Sequence, residues 1–114
     1  MANPLACAVA CANLDLLATG DWHRQVMHIE RRLRDGLSAC SEFETVKAVR
    51  VKGAIGVIEM KRPLDVPATC RCFVERGVWV RPFANLIYVM PPYIINDEEL
   101  DQLTAAMRDV AREV

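Results

Sequence analysis

A chain of 114 residues with 53% hydrophobic and 25% charged residues has room for one globular domain with a modest core, and its composition excludes disordered and fibrous classes. Fourteen basic side chains against fifteen acidic ones leave a net charge of −1, and no Lys/Arg block is long enough to suggest nucleic acid or an anionic membrane as a partner. The short run RRLR, Arg31 to Arg34, reads as the solvated face of a helix.

The opening MANPLACAVACANLDLLA lacks a basic leader, and Asp15 interrupts its apolar run, so neither a secretory signal nor a membrane span is expected. Asn3 before Pro4 is instead a helix start: the amide side chain caps free backbone N–H groups while the fixed φ of proline suits the first turn. That helix should run to about Thr19, with Gly20 taking the left-handed stop. Asp21 is expected to cap a second helix, in which Trp22, Val26, Ile29, Leu33 and Leu37 recur at three- and four-residue intervals and form a buried stripe. Its other face carries Arg24, Glu30, Arg31, Arg34 and Asp35.

From Thr45 the pattern changes. VKAVRVKGAIGVIEMK is rich in Val and Ile and punctuated by Gly53 and Gly56, which suggests two strands or one strand bent at a glycine. Asp65 should cap a third helix through Arg76, with Pro67 tolerated in its first turn and Gly77 closing it. VWVRP and LIYVM read as two further strands joined tightly at residues 83–85, where Asn85 is best suited to positive φ. Asn96 with Glu99 three residues on resembles a capping box and opens a last helix, with Leu100, Leu103, Met107 and Val110 inward. The expected order is ααββαββα: a single α+β domain over residues 1–114, with a small, mostly antiparallel sheet covered by helices.

Five cysteines show no disulfide framework, and a cytoplasmic chain is expected. Cys7 and Cys11 lie at i,i+4 spacing and Cys70 and Cys72 form CRC, but without paired CxxC motifs the expectation is buried, inert thiols and no metal site. His23 and His28, five apart, do not share a helix face and read as ordinary surface or boundary residues.

The one anomaly is Arg81 inside GVWVRPF. In a strand, Trp79, Arg81 and Phe83 point one way while Val78 and Val80 point the other. Pro82 cannot donate to a ladder, so the guanidinium should sit at a sheet rim beside aromatic surface, where an unpaired charge is costly. Two partners fit it. One is a carboxylate of the chain itself; the other is a ligand carboxylate, which a planar guanidinium holds bidentately for about 1.5–3 kcal/mol. Tyr88 has two readings: a wall of the same pocket that donates its hydroxyl, or simply a half-buried strand tyrosine.

NPLACAVA, VKGAIGVIE and FVERGVWVRPF followed by LIYVMPPYII resemble, in that order and spacing, the C-terminal segment of the adenosylmethionine-8-amino-7-oxononanoate aminotransferases. These are biotin-pathway members of the class III, fold-type I transaminases that use pyridoxal phosphate. The resemblance covers essentially the whole chain and implies the small C-terminal domain of that fold. It implies that Arg81 anchors the carboxylate of 8-amino-7-oxononanoate, with Tyr88 on the pocket wall, and that S-adenosylmethionine is the amino donor. It also implies that Asn3 and Pro4 follow a segment touching the cofactor phosphate of a neighbouring subunit, so that the large domain and the second subunit of a homodimer are partners. The family commonly has glycine where Ala2 and Ala84 stand, so the approach to the first helix and the turn after Phe83 are expected to differ.

The cofactor-anchoring lysine, the carboxylate facing the pyridine nitrogen and the phosphate cup of the family lie upstream of the matched segment. Lys47, Lys52 and Lys61 are the only lysines, and none matches the anchoring residue. This polypeptide alone is therefore expected to carry no catalytic residue, to bind no pyridoxal phosphate and not to transaminate. The alternative is a free-standing, non-enzymatic α+β interaction or carboxylate-binding module.

Overall fold

The computed structural model describes residues 2–114. Helix α1 spans Pro4–Ala18; its cap is Asn3, whose Oδ1 accepts from the amides of Leu5 (3.0 Å) and Ala6 (3.3 Å). Every residue of α1 is exposed. Helix α2 spans Asp21–Leu37 and is N-capped by Gly20 at φ 78°, so Asp21 is its first helical residue and not its cap. Left-handed backbone at Gly20 lets one residue end α1 and begin α2, which leaves no cap position for Asp21. Ile29, Leu33 and Leu37 are buried along α2 as the periodicity requires, with Trp22 and Val26 half-buried at its open end.

A 3-10 turn, Ser38–Glu42, which the sequence pattern did not signal, carries buried Cys40 into the core and leads to β1 (Val46–Lys52). Strand β2 (Ile55–Met60) returns antiparallel to β1, so the glycine-punctuated segment is two strands. The hairpin turns at Gly53, φ 55°, a conformation that favours glycine. Helix α3 spans Val66–Glu75, capped by Asp65, whose Oδ1 accepts from Ala68 N at 3.0 Å, and Gly77 follows it at φ 73°. Strand β3 (Leu86–Val89) pairs antiparallel with β2, giving the order β1-β2-β3. Helix α4 spans Asp97–Glu113 behind a complete capping box: Asn96 Oδ1 accepts from Glu99 N (2.8 Å), and Glu99 Oε2 accepts from Asn96 N (3.2 Å).

The α+β architecture follows the sequence pattern, with one correction. VWVRP does not form a ladder strand; apart from an isolated bridge between Phe83 and Leu86, the segment after α3 runs unpaired. Pro82 has no N–H to give, and Val80 and Pro82 are buried, so the segment is held by its inward side chains. Phe83 and Leu86 exchange N–H···O bonds of 3.0 and 2.8 Å across the turn. Positive φ in that turn falls on Ala84 (51°), not on Asn85. Asn85 is committed elsewhere: its Nδ2 donates to Met60 O at 2.9 Å and its carbonyl accepts from Met60 N at 2.8 Å, tying the turn to the end of β2.

One face of the sheet, Ile58, Met60, Ile87 and Val89, packs with α2, α3 and α4 into a single core with Leu33, Phe73, Leu100 and Met107. Each such side chain contributes about 1.5–3 kcal/mol by leaving water. The opposite face carries Val57 and Glu59 of β2 across from Tyr88 and Leu86 of β3. It has no helix over it, and the candidate site borders it.

Candidate functional site

Although VWVR is not a strand, its side chains alternate as an extended segment must. Trp79, Arg81 and Phe83 point out, and Val80 and Pro82 point in. Tyr88 stands on the helix-free face of β3 at half exposure, opposite Val57. Arg81 and Tyr88 line one open groove of about 330 Å³, with walls from Trp79, Met90, Pro91, Pro92, Ile95 and Leu103. The two residues singled out in the sequence thus come together. Of the apolar walls, Trp79 was expected as aromatic surface beside Arg81; the others were not singled out as walls, because they arise from the end of β3, the loop after it and one face of α4. The only sequence signal for them is the Pro91-Pro92 break beside hydrophobic residues.

The charge state of this groove is simple. Arg81 is exposed, so the expected exclusion of water around its guanidinium does not hold in this chain. Among the described residues it makes no ion pair, which removes the first of its two candidate partners. Glu59, the carboxylate on the same sheet face as Tyr88, is already held by Lys47 Nζ at 2.8 Å and Arg50 Nη1 at 2.6 Å. These two bonds, that from Lys47 the larger, pull the Glu59 carboxyl down to about 2. Among the described residues the groove therefore presents one unpaired cation, one phenol and an apolar wall, and its lining contains no carboxylate.

The other titratable groups have structural partners. His28 Nε2 lies 2.6 Å from Asp97 Oδ1 and links α2 to the first turn of α4; that hydrogen bond, with Arg32 nearby, holds the Asp97 carboxyl below its usual range. Arg32 reaches Asp101 at 2.6 Å, and Arg76 joins α3 to Glu113 at the end of α4. Burial raises the Cys40 thiol. The cysteine expectation holds for Cys40 but not for Cys7 and Cys11, which are exposed because α1 has no layer over it; Cys70 and Cys72 are intermediate. No cluster of three or more metal-ligating side chains occurs among the described residues.

Lys47, Lys52 and Lys61 are all exposed, and none lines the groove. With neither a lysine to anchor an aldehyde cofactor nor a carboxylate to face its ring, the groove residues do not fit pyridoxal phosphate by themselves. What they can do is bind and orient an acid.

The sequence pattern of the family described as aminotransferase class-III matches residues 1–111. The chain belongs to this family. It is 49% identical over 107 residues to an adenosylmethionine-8-amino-7-oxononanoate aminotransferase of Corynebacterium glutamicum, covering 94% of this chain and 25% of that protein. The same-named proteins of Mycobacterium leprae and Saccharomyces cerevisiae are 48% and 36% identical, over 97% and 99% of this chain and 26% and 25% of theirs. The chain thus spans about a quarter of the length of these relatives. Among solved structures, the adenosylmethionine-8-amino-7-oxononanoate aminotransferase of Methanocaldococcus jannaschii superposes with a TM-score of 0.84 at 24% identity, over 98% of this chain and 28% of that one. The acetylornithine aminotransferase of Elizabethkingia anophelis gives 0.80 at 26% identity, over 98% and 30%. For this class-III chain, the α+β fold is therefore that of part of a transaminase. No helix among the described residues is long and apolar enough to cross a membrane.

Proposed function

We propose that this chain is the substrate-recognition part of a cytoplasmic, homodimeric transaminase that passes the amino group of S-adenosylmethionine to 8-amino-7-oxononanoate, giving 7,8-diaminononanoate. Arg81 takes the carboxylate of the oxononanoate, and the Tyr88 hydroxyl borders the same acid. The observation that carries this reading is a guanidinium with no carboxylate partner among the described residues, held beside a phenol in a groove whose walls suit a hydrocarbon chain. The names of the relatives supply the acid. Pyridoxal phosphate, in the complete enzyme, supplies the amino-transfer chemistry. This chain contributes binding and orientation, and it neither holds the cofactor nor transaminates alone.

The test is a chimera of the Corynebacterium glutamicum relative in which the matching quarter is replaced by this chain. The chimera should be active, and Arg81→Ala should raise KM for 8-amino-7-oxononanoate by roughly 10- to 150-fold, the equivalent of about 1.5–3 kcal/mol. An active chimera whose KM is indifferent to Arg81→Ala refutes the role of the arginine. Micromolar binding of the oxononanoate to the isolated chain would favour a free-standing carboxylate-binding module instead, because a recognition domain with half its pocket wall elsewhere should bind only weakly.

A further inference from the structure

The groove beside β3 also holds unpaired backbone. Asn85 O accepts from Met60 N at 2.8 Å, and Ile87 and Val89 stand opposite Ile58 and Gly56. Bonded and non-bonded pairs alternate in an antiparallel ladder, so Asn85, Ile87 and Val89 turn their N–H and C=O towards β2, while Leu86 and Tyr88 turn theirs away from it. Leu86 spends its groups on Phe83, at 3.0 and 2.8 Å. Continued outward, that pairing would set Arg81 opposite Tyr88 and Trp79 opposite Met90, yet no backbone bond joins either pair. The two segments part instead, with Trp79, Val80 and Arg81 on one bank of the groove and Tyr88, Val89 and Met90 on the other.

The N–H and C=O of Tyr88 therefore face the groove with no backbone partner among the described residues. The twofold alternation of the opposite bank, exposed at Trp79, Arg81 and Phe83 and buried at Val80 and Pro82, turns the backbone groups of Arg81 towards the same gap. Around this polar edge the surface is apolar: Trp79 is 75% exposed, Met90 66%, and Phe83, at the closed end, 69%. A donor and an acceptor spaced along a strand edge and bordered by apolar side chains match one kind of occupant, an extended peptide.

No residue before Trp79 lines the groove, and Val114 lies in a separate pocket with Glu44 and Leu64. The relatives of this chain are about four times its length, so about three quarters of such an enzyme lies outside these residues. A pairing limited to the Tyr88 level is too short to hold a separate chain, and a segment tethered in the same polypeptide supplies the needed effective concentration. The only charge in the lining is Arg81, and a carboxylate brought in by the segment would neutralise it.

We propose that this groove is an open strand position: one extended segment without acidic side chains, from the rest of the same enzyme subunit, adds to the free edge of β3, exchanges hydrogen bonds with Tyr88 N–H and C=O, and lies beneath the side chains of Arg81 and Tyr88 as the floor of their pocket. The inference does not depend on which acid Arg81 takes.

The experiment is the crystal structure of the chimera described above, together with its amide hydrogen exchange read residue by residue by fragmentation mass spectrometry. The same graft in the Mycobacterium leprae relative provides a second host. A backbone N–H and C=O from outside residues 1–114 of the same subunit should lie about 2.7–3.2 Å from Tyr88 O and N. The Tyr88 amide should exchange at least roughly 100-fold more slowly than an unpaired amide, on the scale of its β2-bonded neighbours Ile87 and Val89. The proposal is overturned if Tyr88 pairs with Arg81 by closing the hairpin, if it bonds only water, if the added strand belongs to the other subunit, or if its amide exchanges as an unpaired one does. Arg81→Ala should leave this protection unchanged, so a KM indifferent to Arg81→Ala alongside a protected Tyr88 would refute the role of the arginine and leave the added strand standing.

Discussion

Gly36 lies one residue before the end of α2, where the helix passes α4. A Cβ built there would stand 2.8 Å from both Cβ and Oγ1 of Thr104 and 2.9 Å from its Cγ2. Thr104 cannot easily step aside: it is 3% exposed, and its Oγ1 donates to Asp101 O at 3.1 Å. Arg108 Nη1 also donates to Gly36 O at 3.2 Å, pinning the two helices at this level. In Gly36→Ala two effects oppose. Alanine is favoured over glycine in a helix by about 0.8–1 kcal/mol. Overpacking a tight contact costs about 1–3 kcal/mol, and three atoms of a locked side chain place this case near the top of that range. The net expectation is a loss of about 2 kcal/mol, or a fall in Tm of roughly 8 °C for a domain of this size. Urea unfolding followed by circular dichroism should show a lower midpoint at unchanged slope. Adding Thr104→Ala removes Oγ1 and Cγ2 and should restore part of the loss, whereas the same change in the parent chain should not stabilise. If Gly36→Ala is as stable as the parent or more so, helix propensity has won and the close approach of α2 to α4 is wrong.

Two further outcomes follow from the ion pairs and the lysines. The Glu59 carboxyl, lowered to about 2 by Lys47 and Arg50, binds its proton more readily in the unfolded chain, so its contribution to stability is complete above the ordinary carboxylate range and is lost as pH falls through about 2. Glu59→Gln should therefore flatten the acid limb between about pH 4.5 and 2, and an unchanged limb would show that the pair does not act. Borohydride treatment of the chain with stoichiometric pyridoxal phosphate should leave Lys47, Lys52 and Lys61 unmodified by mass spectrometry; a stoichiometric adduct on any of them would overturn the assignment of cofactor binding to the rest of the enzyme.

Helix ends and faces were legible wherever a local signal sufficed. Asn3, Asp65 and Asn96 cap their helices because each needs only its own amides within three residues. Asp21 broke the rule because Gly20 already served both helices. The apolar β pattern of VWVRP was misleading for a related reason: alternation reports an extended backbone with one face buried, whereas a strand also needs ladder partners, and Pro82 denies one. The exposure of Cys7 and Cys11 was illegible because an Ala/Leu/Cys-rich helix reads as core whether or not the chain supplies anything to cover it.

The same distinction explains why Arg81 and Tyr88 line one groove although VWVRP is not a ladder strand. The direction of Arg81 depends on the twofold alternation of an extended segment, and burial of Val80 and Pro82 fixes that alternation without any ladder. Tyr88 depends on the register of β3, which Val57↔Tyr88 pairing sets from the neighbouring strand. Removing the buried anchor should therefore disturb the arginine more than the tyrosine. In the active chimera, Val80→Ala should raise KM for the oxononanoate in the same direction as Arg81→Ala, by a smaller factor and with little change in kcat. Val57→Ala, on the helix-free face, should leave the arginine's contribution intact. If Val80→Ala lowers kcat and leaves KM unmoved, the inward packing of this segment does not orient the guanidinium.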